Sequence, residues 1–143
     1  MGPRGAEAGI EEELGSVLLD SSVLVNYLRR WPSALAGLQA IHSAGDIPCT
    51  CAVVAMEVRR GLRPAEESLL EHLMSGLTEL PISVEAGLKA GEWQAHYRAR
   101  GITLEDADVL IAATAHVGGA RLATVNAKDF PMPELQLEAW PAL

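Results

Sequence analysis

Short apolar runs alternate with stretches of helical periodicity along most of this chain. Strands are predicted where four to six mainly apolar residues lie between turn signals, at 16–20 (SVLLD), 47–51 (IPCTC), 78–82 (TELPI), 121–126 (RLATVN) and, at a sheet edge, 135–140 (LQLEAW). Helices are predicted where apolar residues recur at helical spacing between caps and breakers, at 21–30, 32–44, 53–62, 64–77, 83–101 and 103–119. Ser21 and Ser22 are expected to cap the first helix, and Thr103 the last.

Strands that alternate with helices indicate an α/β fold with a central, mostly parallel sheet covered on both faces. In such sheets ligands bind beyond the carboxyl ends of the strands. Asp20 ends the first strand, and the turn from Asn126 to Asp129 follows the fourth. Glu57 and Asp108 lie on helices that follow or precede strands. These acids are therefore expected to converge on one edge of the sheet.

Each of these acids also has a purely structural interpretation. An aspartate at the position of Asp20 often caps a helix, although Ser21 and Ser22 are alternative caps. Glu57 is spaced to form an ion pair with Arg60 or to reach Arg63. In the segment EDADVLIAATA, two aspartates two residues apart on a helix do not share a face. We assign the buried role to Asp108, because it leads into the apolar stretch, and a first-turn role to Asp106.

Several carboxylates in one pocket repel one another unless a cation neutralises them. Oxygen-only ligation favours hard cations, Mg²⁺ or Mn²⁺, which activate water for attack on phosphodiesters. The four histidines form no HxH or HExxH pattern, and neither GxxxxGK[ST] nor GxGxxG occurs. Zinc and nucleotide-binding interpretations are therefore less favoured.

Composition is typical of one globular domain, because 49% of the 143 residues are hydrophobic and 21% are charged. We interpret residues 1–15 as a flexible acidic tail and 16–143 as a single domain. No apolar run is long enough for a membrane span or a secretory signal, so a cytoplasmic protein is expected. Cys49 and Cys51 are expected to be reduced, buried thiols.

The net charge of −8 gives the chain no general electrostatic attraction for nucleic acid. Any such substrate must be held by local arginines or by metal ions. The arginines fall in groups, at 29–30, 59–60 with 63, and 98 with 100, where they either bind phosphate or simply end helices. Trp31, Trp93 and Tyr97 are candidates for base stacking, although aromatic residues at helical spacing are more often core or dimer contacts.

Four segments occur in the order and spacing of a known family, namely VLLDSSVLVNYL at 17–28, AMEVRRGL at 55–62, DVLIAATA at 108–115 and LATVNAKDF at 122–130. Through them the chain resembles the PIN-domain ribonucleases, and among these the VapC-type toxins of bacterial toxin–antitoxin pairs. The resemblance implies a PIN-like three-layer α/β/α sandwich with four to five short strands. It further implies a homodimer and inhibition by a cognate VapB-type antitoxin in a hetero-oligomer.

The same resemblance implies particular roles for residues of the predicted site. Asp20, Glu57 and Asp108 are the implied metal-binding acids, and Ser22 is the small polar residue that supports the first of them. A fourth acid of the family lies in a turn that Thr124 and Phe130 match here, which leaves the position divided between Asn126 and Asp129. The arginines expected to contact RNA are Arg29, Arg59 and Arg60.

Three hypotheses follow from the sequence. The first is a Mg²⁺-dependent (or Mn²⁺-dependent) endoribonuclease toxin with Asp20, Glu57, Asp108 and Asp129 as its catalytic residues. The second is a catalytically weak PIN-like module that binds RNA or protein, favoured by Asn126 and by the acidic charge. The third is a metal-dependent hydrolase of small phosphate esters, which rests only on the shared chemistry.

Overall fold

The fold is built on one parallel sheet. The structure, a computed structural model, describes residues 15–142. Its strands are β1 (Ser16–Leu19), β2 (Ile47–Thr50), β3 (Thr78–Glu79), β4 (Arg121–Thr124) and β5 (Leu137–Ala139). They lie in the order β3-β2-β1-β4-β5, and every pairing among them is parallel. The predicted parallel α/β sheet is thus confirmed, with β1 at its centre.

Helices on both faces complete the three-layer α/β/α arrangement that was predicted. They are α1 (Ser21–Leu28), α2 (Pro32–Ala44), α3 (Ala52–Arg60), α4 (Glu67–Ser75), α5 (Val84–Arg98) and α6 (Asp106–Val117). The core lies on the central strands, where Val17, Leu18, Leu19 and Leu122 are fully buried, and beneath α6, where Ile111 is fully buried. Cys49 and Cys51 are free and buried, which confirms that prediction.

The third strand is shorter than its apolar pattern suggested. The pairing of β3 with β2 ends soon after Glu79, where the Leu80 N–H donates to the Thr50 carbonyl at 2.8 Å. The next residue, Pro81, has no N–H and cannot continue the ladder. A strand over the full segment 78–82 was therefore wrong.

The last helix begins later than predicted. Thr103 is not its cap, because α6 starts at Asp106 with Glu105 in the capping position. Leu104 is buried, and its carbonyl accepts a hydrogen bond of 3.1 Å from the side-chain amide of Gln94. The backbone is extended at Glu105, and the bond from α5 occupies the Leu104 carbonyl, which a helix beginning at Thr103 would use internally.

The predicted tail, 1–15, lies outside the described residues except for Gly15. The Gly15 carbonyl accepts a hydrogen bond of 3.1 Å from the Ile47 N–H, beside the first pair of the β1–β2 ladder. Within the part of the chain that the structure describes, no helix is long and apolar enough to cross a membrane.

Helix α1 ends in a left-handed turn at Arg30, where φ is 62°. The Arg30 N–H donates to the Tyr27 carbonyl at 2.9 Å, and the Trp31 N–H to the Asn26 carbonyl at 3.0 Å. This pair of bonds is the Schellman ending of a helix, in which glycine is the usual left-handed residue. An arginine there has a Cβ that the left-handed conformation disfavours.

Replacing this arginine by glycine is expected to stabilise the protein. Arg30→Gly removes the steric cost of the left-handed conformation, and the greater entropy of glycine in the unfolded chain offsets part of the gain. We expect a net increase of about 0.5–1 kcal/mol in the free energy of unfolding, measured by urea denaturation. Arg30→Ala is the matched control, because it removes the same side chain but keeps Cβ. A gain of equal size in both variants would contradict the explanation from backbone strain.

Candidate active site

Asp20 lies at the carboxyl end of the central strand and is 95% buried, with only 5% of its surface exposed. Its N–H donates to the Ala123 carbonyl at 2.9 Å, which extends the β1–β4 ladder to this residue. One carboxylate oxygen accepts from the Ser21 N–H at 2.8 Å, and the other from the hydroxyls of Thr124 at 2.7 Å and Ser22 at 3.0 Å. Three donors thus fix the carboxylate.

Asp20 itself is therefore the cap of α1. The expectation that Ser21 and Ser22 would cap this helix was wrong, because the side chains of both serines bond to carboxylates instead. Capping and a role in a site are compatible here, since only one carboxylate oxygen, Oδ1, bonds to the helix N–H.

A second hydrogen bond fixes the direction in which the Thr124 hydroxyl donates. The Thr124 hydroxyl accepts from the Asn126 N–H at 2.9 Å, so its own proton is free to point at Asp20. Thr124 is fully buried at the end of β4. The turn that follows β4 is thereby bonded to the end of β1, which brings the two predicted parts of the site together.

Glu57 lies on α3 and has a side chain that is 18% exposed. One carboxylate oxygen accepts from the Ser21 hydroxyl at 2.9 Å, and the other is 3.7 Å from the Arg60 guanidinium. The ion pair expected from helical spacing is therefore present. The contact with Ser21 was not predicted, because the sequence separates the two residues by 36 positions and gives no local signal for it. It ties Glu57 to the residue next to Asp20.

The electrostatic surroundings of Asp108 indicate that the acids converge. Burial, and after it the negative charges of Asp129, Asp20, Glu57 and Glu105, raise the pKa of Asp108 to about 6. Elements distant in sequence thus direct negative charge at one carboxyl group, which costs free energy unless a proton or a cation neutralises it.

Asp106, two residues earlier, is exposed and has a different neighbour. Its carboxylate accepts from the Gln94 amide at 2.7 Å. Both aspartates of α6 line the cavity that contains Glu57, but the charge of Asp106 is not among those that raise the pKa of Asp108.

The turn after β4 contains both candidates for the fourth position. Asp129 lies in the 3₁₀ turn Ala127–Asp129, and its charge has the largest Coulombic effect on Asp108. The side chain of Asn126 is exposed and lines a cavity together with Trp31 and Ser22. Of the two residues, Asp129 is thus the one that acts electrostatically on the acids.

The three arginines predicted to contact RNA lie in different surroundings. Arg60 is exposed and lines two cavities that also include Glu57. Arg59 is 3.4 Å from Glu67, and Arg29 is 4.0 Å from Glu66. Of the three, Arg60 therefore has the clearest position beside the carboxylates.

The donor set is chemically suited to a hard divalent cation, because it consists of carboxylate oxygens on converging elements. Within residues 15–142, however, no three His, Cys, Asp or Glu side chains form a group that could hold a metal ion as they stand. The acids are an electrostatic cluster rather than a preassembled ligand shell. A metal ligand set among them is accordingly an inference from charge and chemistry.

A PIN-domain family model matches residues 17–131, which include every candidate acid. The chain belongs to the PIN-domain family. It is 32% identical over 120 residues to Ribonuclease VapC19 of Mycobacterium tuberculosis, covering 83% of this chain and 96% of that protein. It is also 32% identical over 118 residues to Ribonuclease VapC10 of the same organism, covering 82% of this chain and 88% of the relative.

Solved structures agree on the PIN-domain fold. The chain is similar to a structure of VapBC2 from Rickettsia felis bound to a DNA fragment from their promoter, with a TM-score of 0.79. The identity is 24%, and the match covers 87% of this chain and 98% of the other. The predicted family and its fold are confirmed, and PIN-domain ribonucleases generally depend on divalent metal ions.

Proposed function

We propose that this PIN domain is the toxin of a type II toxin–antitoxin pair and hydrolyses RNA phosphodiester bonds endonucleolytically. The observation that carries the proposal is the convergence of acids from separate elements on Asp108, whose pKa is raised to about 6. The VapC relatives are named as ribonucleases, which supports RNA as the substrate. The family match supports dependence on a divalent cation.

The proposed ligands of that cation are Asp20, Glu57 and Asp108, with Asp129 completing the negative site. Mg²⁺ is the proposed ion and Mn²⁺ the alternative, because both prefer oxygen ligands. When bound, such an ion lowers the pKa of a water molecule and stabilises the leaving oxygen. Asp20 suits the role of metal ligand because three donors hold its carboxylate in place.

The other side chains have positioning roles in this proposal. Thr124 and Ser22 orient Asp20 through hydrogen bonds of 2.7 and 3.0 Å, and Ser21 orients Glu57 through one of 2.9 Å. Arg60 is the proposed phosphate contact, because its side chain is 68% exposed beside Glu57. In an acidic protein such a local cation is needed for a phosphate to approach.

The proposed partner is a VapB-type antitoxin that blocks the carboxylate cleft, which is the cavity lined by Glu57 and Asp108. The toxin itself is proposed to be homodimeric and cytoplasmic. The similar structure from Rickettsia felis contains both VapB and VapC proteins, which supports a complex of this kind.

Cleavage of a single-stranded RNA oligonucleotide by the purified chain tests the activity. We expect cleavage with Mg²⁺ or Mn²⁺ and its loss in EDTA, since four acids repel an uncompensated phosphate. Undiminished cleavage in EDTA would contradict the metal-dependent mechanism. Faster hydrolysis of small phosphate esters than of RNA would favour a general phosphoesterase, and absence of both activities would favour a binding module.

A further inference from the structure

Trp31 differs from the other two tryptophans in its surroundings. Trp93 belongs to the core and is 3% exposed, and its indole N–H donates to Glu134. Trp140 packs against the core, and its indole N–H donates to Glu138. Trp31 is half-buried but is not part of the core cluster or of the apolar residues packed on it. Trp31 lines a cavity instead.

That cavity has a volume of about 470 Å³ and lies next to the carboxylates. Its walls include Trp31, Asn26, Asn126, Glu57 and Arg60. Glu57 and Arg60 also line a second cavity, which contains Asp108. A molecule bound beside Asp108 would therefore extend naturally past Arg60 towards Trp31.

Two side-chain amides in this wall are available to a ligand. Neither the Asn26 nor the Asn126 side chain forms a hydrogen bond with another of the described residues, although the backbone of each residue does. A carboxamide offers one acceptor and two donors on a planar group. This pattern matches the edges of nucleobases, with which asparagine forms paired hydrogen bonds.

The backbone that presents Trp31 is fixed at some energetic cost. Arg30 has a φ of 62°, and the Trp31 N–H bonds to the Asn26 carbonyl at 3.0 Å. The same turn therefore sets the positions of Trp31 and Asn26. A non-glycine residue in the left-handed region is an outlier of the kind that occurs at binding sites.

We propose that this cavity, the Trp31 subsite, binds one unpaired nucleotide of the RNA substrate. The base stacks on Trp31, the amides of Asn26 and Asn126 bond to its edge, and Arg60 holds an adjoining phosphate. A base in a duplex has both faces stacked and its pairing edge occupied, so the RNA must be single-stranded at this point. This inference rests on the proposed ribonuclease function and assigns Asn126 to the substrate rather than to the metal.

Binding can be measured without cleavage in the Asp108→Asn background. The probe is a single-stranded RNA oligonucleotide that carries 2-aminopurine at successive positions, in buffer with Mg²⁺. We expect quenching at one position and about tenfold weaker binding in Trp31→Ala, because stacking of one base on an aromatic ring has effects of this order. Trp31→Phe keeps a stacking surface and should lose less, about two- to threefold.

Gln39→Ala is the matched control for the amides, because Gln39 is an exposed amide on α2 bonded to Ser43. Asn26→Ala and Asn126→Ala should reduce the difference in affinity between oligonucleotides that differ at the quenched position, and Gln39→Ala should not. Equal binding by Trp31→Ala and the parent would overturn the subsite. Failure of the parent to bind the oligonucleotide would overturn it as well.

Cleavage kinetics separate the subsite from the ribonuclease function itself. In a protein with Asp108 intact, Trp31→Ala should raise KM about tenfold and leave kcat within about threefold. This is the pattern expected when a contact stabilises the bound substrate and the transition state equally. Wild-type cleavage with an unchanged KM in Trp31→Ala would overturn the subsite alone. Absence of wild-type cleavage would overturn the ribonuclease proposal, and the binding experiment would still decide the subsite.

Discussion

The Asp108→Asn variant is expected to retain its fold and to cleave RNA with a kcat lower by roughly 10²–10³. A loss of this size is expected when removal of a metal ligand weakens transition-state stabilisation by several kcal/mol. Asparagine has nearly the same shape as aspartate but carries no charge. The negative charge of the cluster formed with Asp129, Asp20 and Glu57 would then be smaller by one, and one proposed metal ligand would be missing. Single-turnover kinetics on an RNA oligonucleotide, at saturating Mg²⁺, measure the loss.

Asp106→Asn is the matched control, since it makes the same chemical change two residues away on α6. Asp106 is exposed and accepts a hydrogen bond from Gln94, a role that an asparagine oxygen can keep. Its kcat should stay within about twofold of wild type, because Asp106 lines the same cavity as Asp108 but is not one of the proposed metal ligands. Equal losses in the two variants, or full activity in Asp108→Asn, would contradict the assignment of Asp108.

The fold and the position of the acids could be predicted because both depend on local patterns. A buried apolar run that ends in an acid, as in β1 and Asp20, specifies a strand and the edge at which a side chain emerges. Helical geometry, together with the apolar stretch that follows Asp108, distinguished Asp108 from Asp106. Pro81, by contrast, carries a signal that was available in the sequence and should have shortened the third strand.

The contacts between distant segments could not be predicted. Thr124 donates to Asp20 across 104 positions of sequence, and Ser21 donates to Glu57 across 36. A serine beside a helix start is expected to cap that helix, and only the tertiary structure places a glutamate from α3 within its reach. The start of α6 depends in the same way on Gln94 of the preceding helix.

The roles of the arginines also depend on tertiary contacts that the local sequence does not reveal. A basic residue at a helix end has the same local sequence whether it binds phosphate or pairs with an acid. Arg29 and Arg59 approach Glu66 and Glu67, which belong to the turn and helix that follow α3. Arg60 lies beside Glu57 and the carboxylate cleft. We therefore propose that Arg60, together with the proposed metal ion, compensates locally for the acidic net charge of the chain.

Without metal, the charge on Asp108 is expected to destabilise the folded protein at neutral and higher pH. Its pKa is raised from 3.8 to about 6, mainly by burial and next by Asp129. A raised pKa in the folded state favours the protonated form, so its contribution to stability is complete below 3.8 and is lost as pH rises through about 6. Asp108→Asn removes the charge and with it this loss.

In EDTA, we expect Asp108→Asn to unfold about 2–6 °C above wild type at pH values well above 6, a range reduced to allow for solvent screening of a partly exposed group. The difference in Tm should shrink as pH falls through about 6, where Asp108 of the wild type becomes protonated. Differential scanning calorimetry across this range measures it. Asp106→Asn, as the control, should not reproduce this pH-dependent difference.

Addition of Mg²⁺ or Mn²⁺ should reverse the order of the two proteins. A ligand present at a hundredfold excess over its Kd stabilises the folded state by about 2.7 kcal/mol. Wild type should gain this stabilisation because its four acids attract the ion, and Asp108→Asn should gain less because one charge is gone. A wild-type Tm that does not respond to either ion would contradict the metal site, even if the pH dependence in EDTA were as expected. The same carboxylate would thus destabilise the metal-free fold and stabilise the metal-bound one.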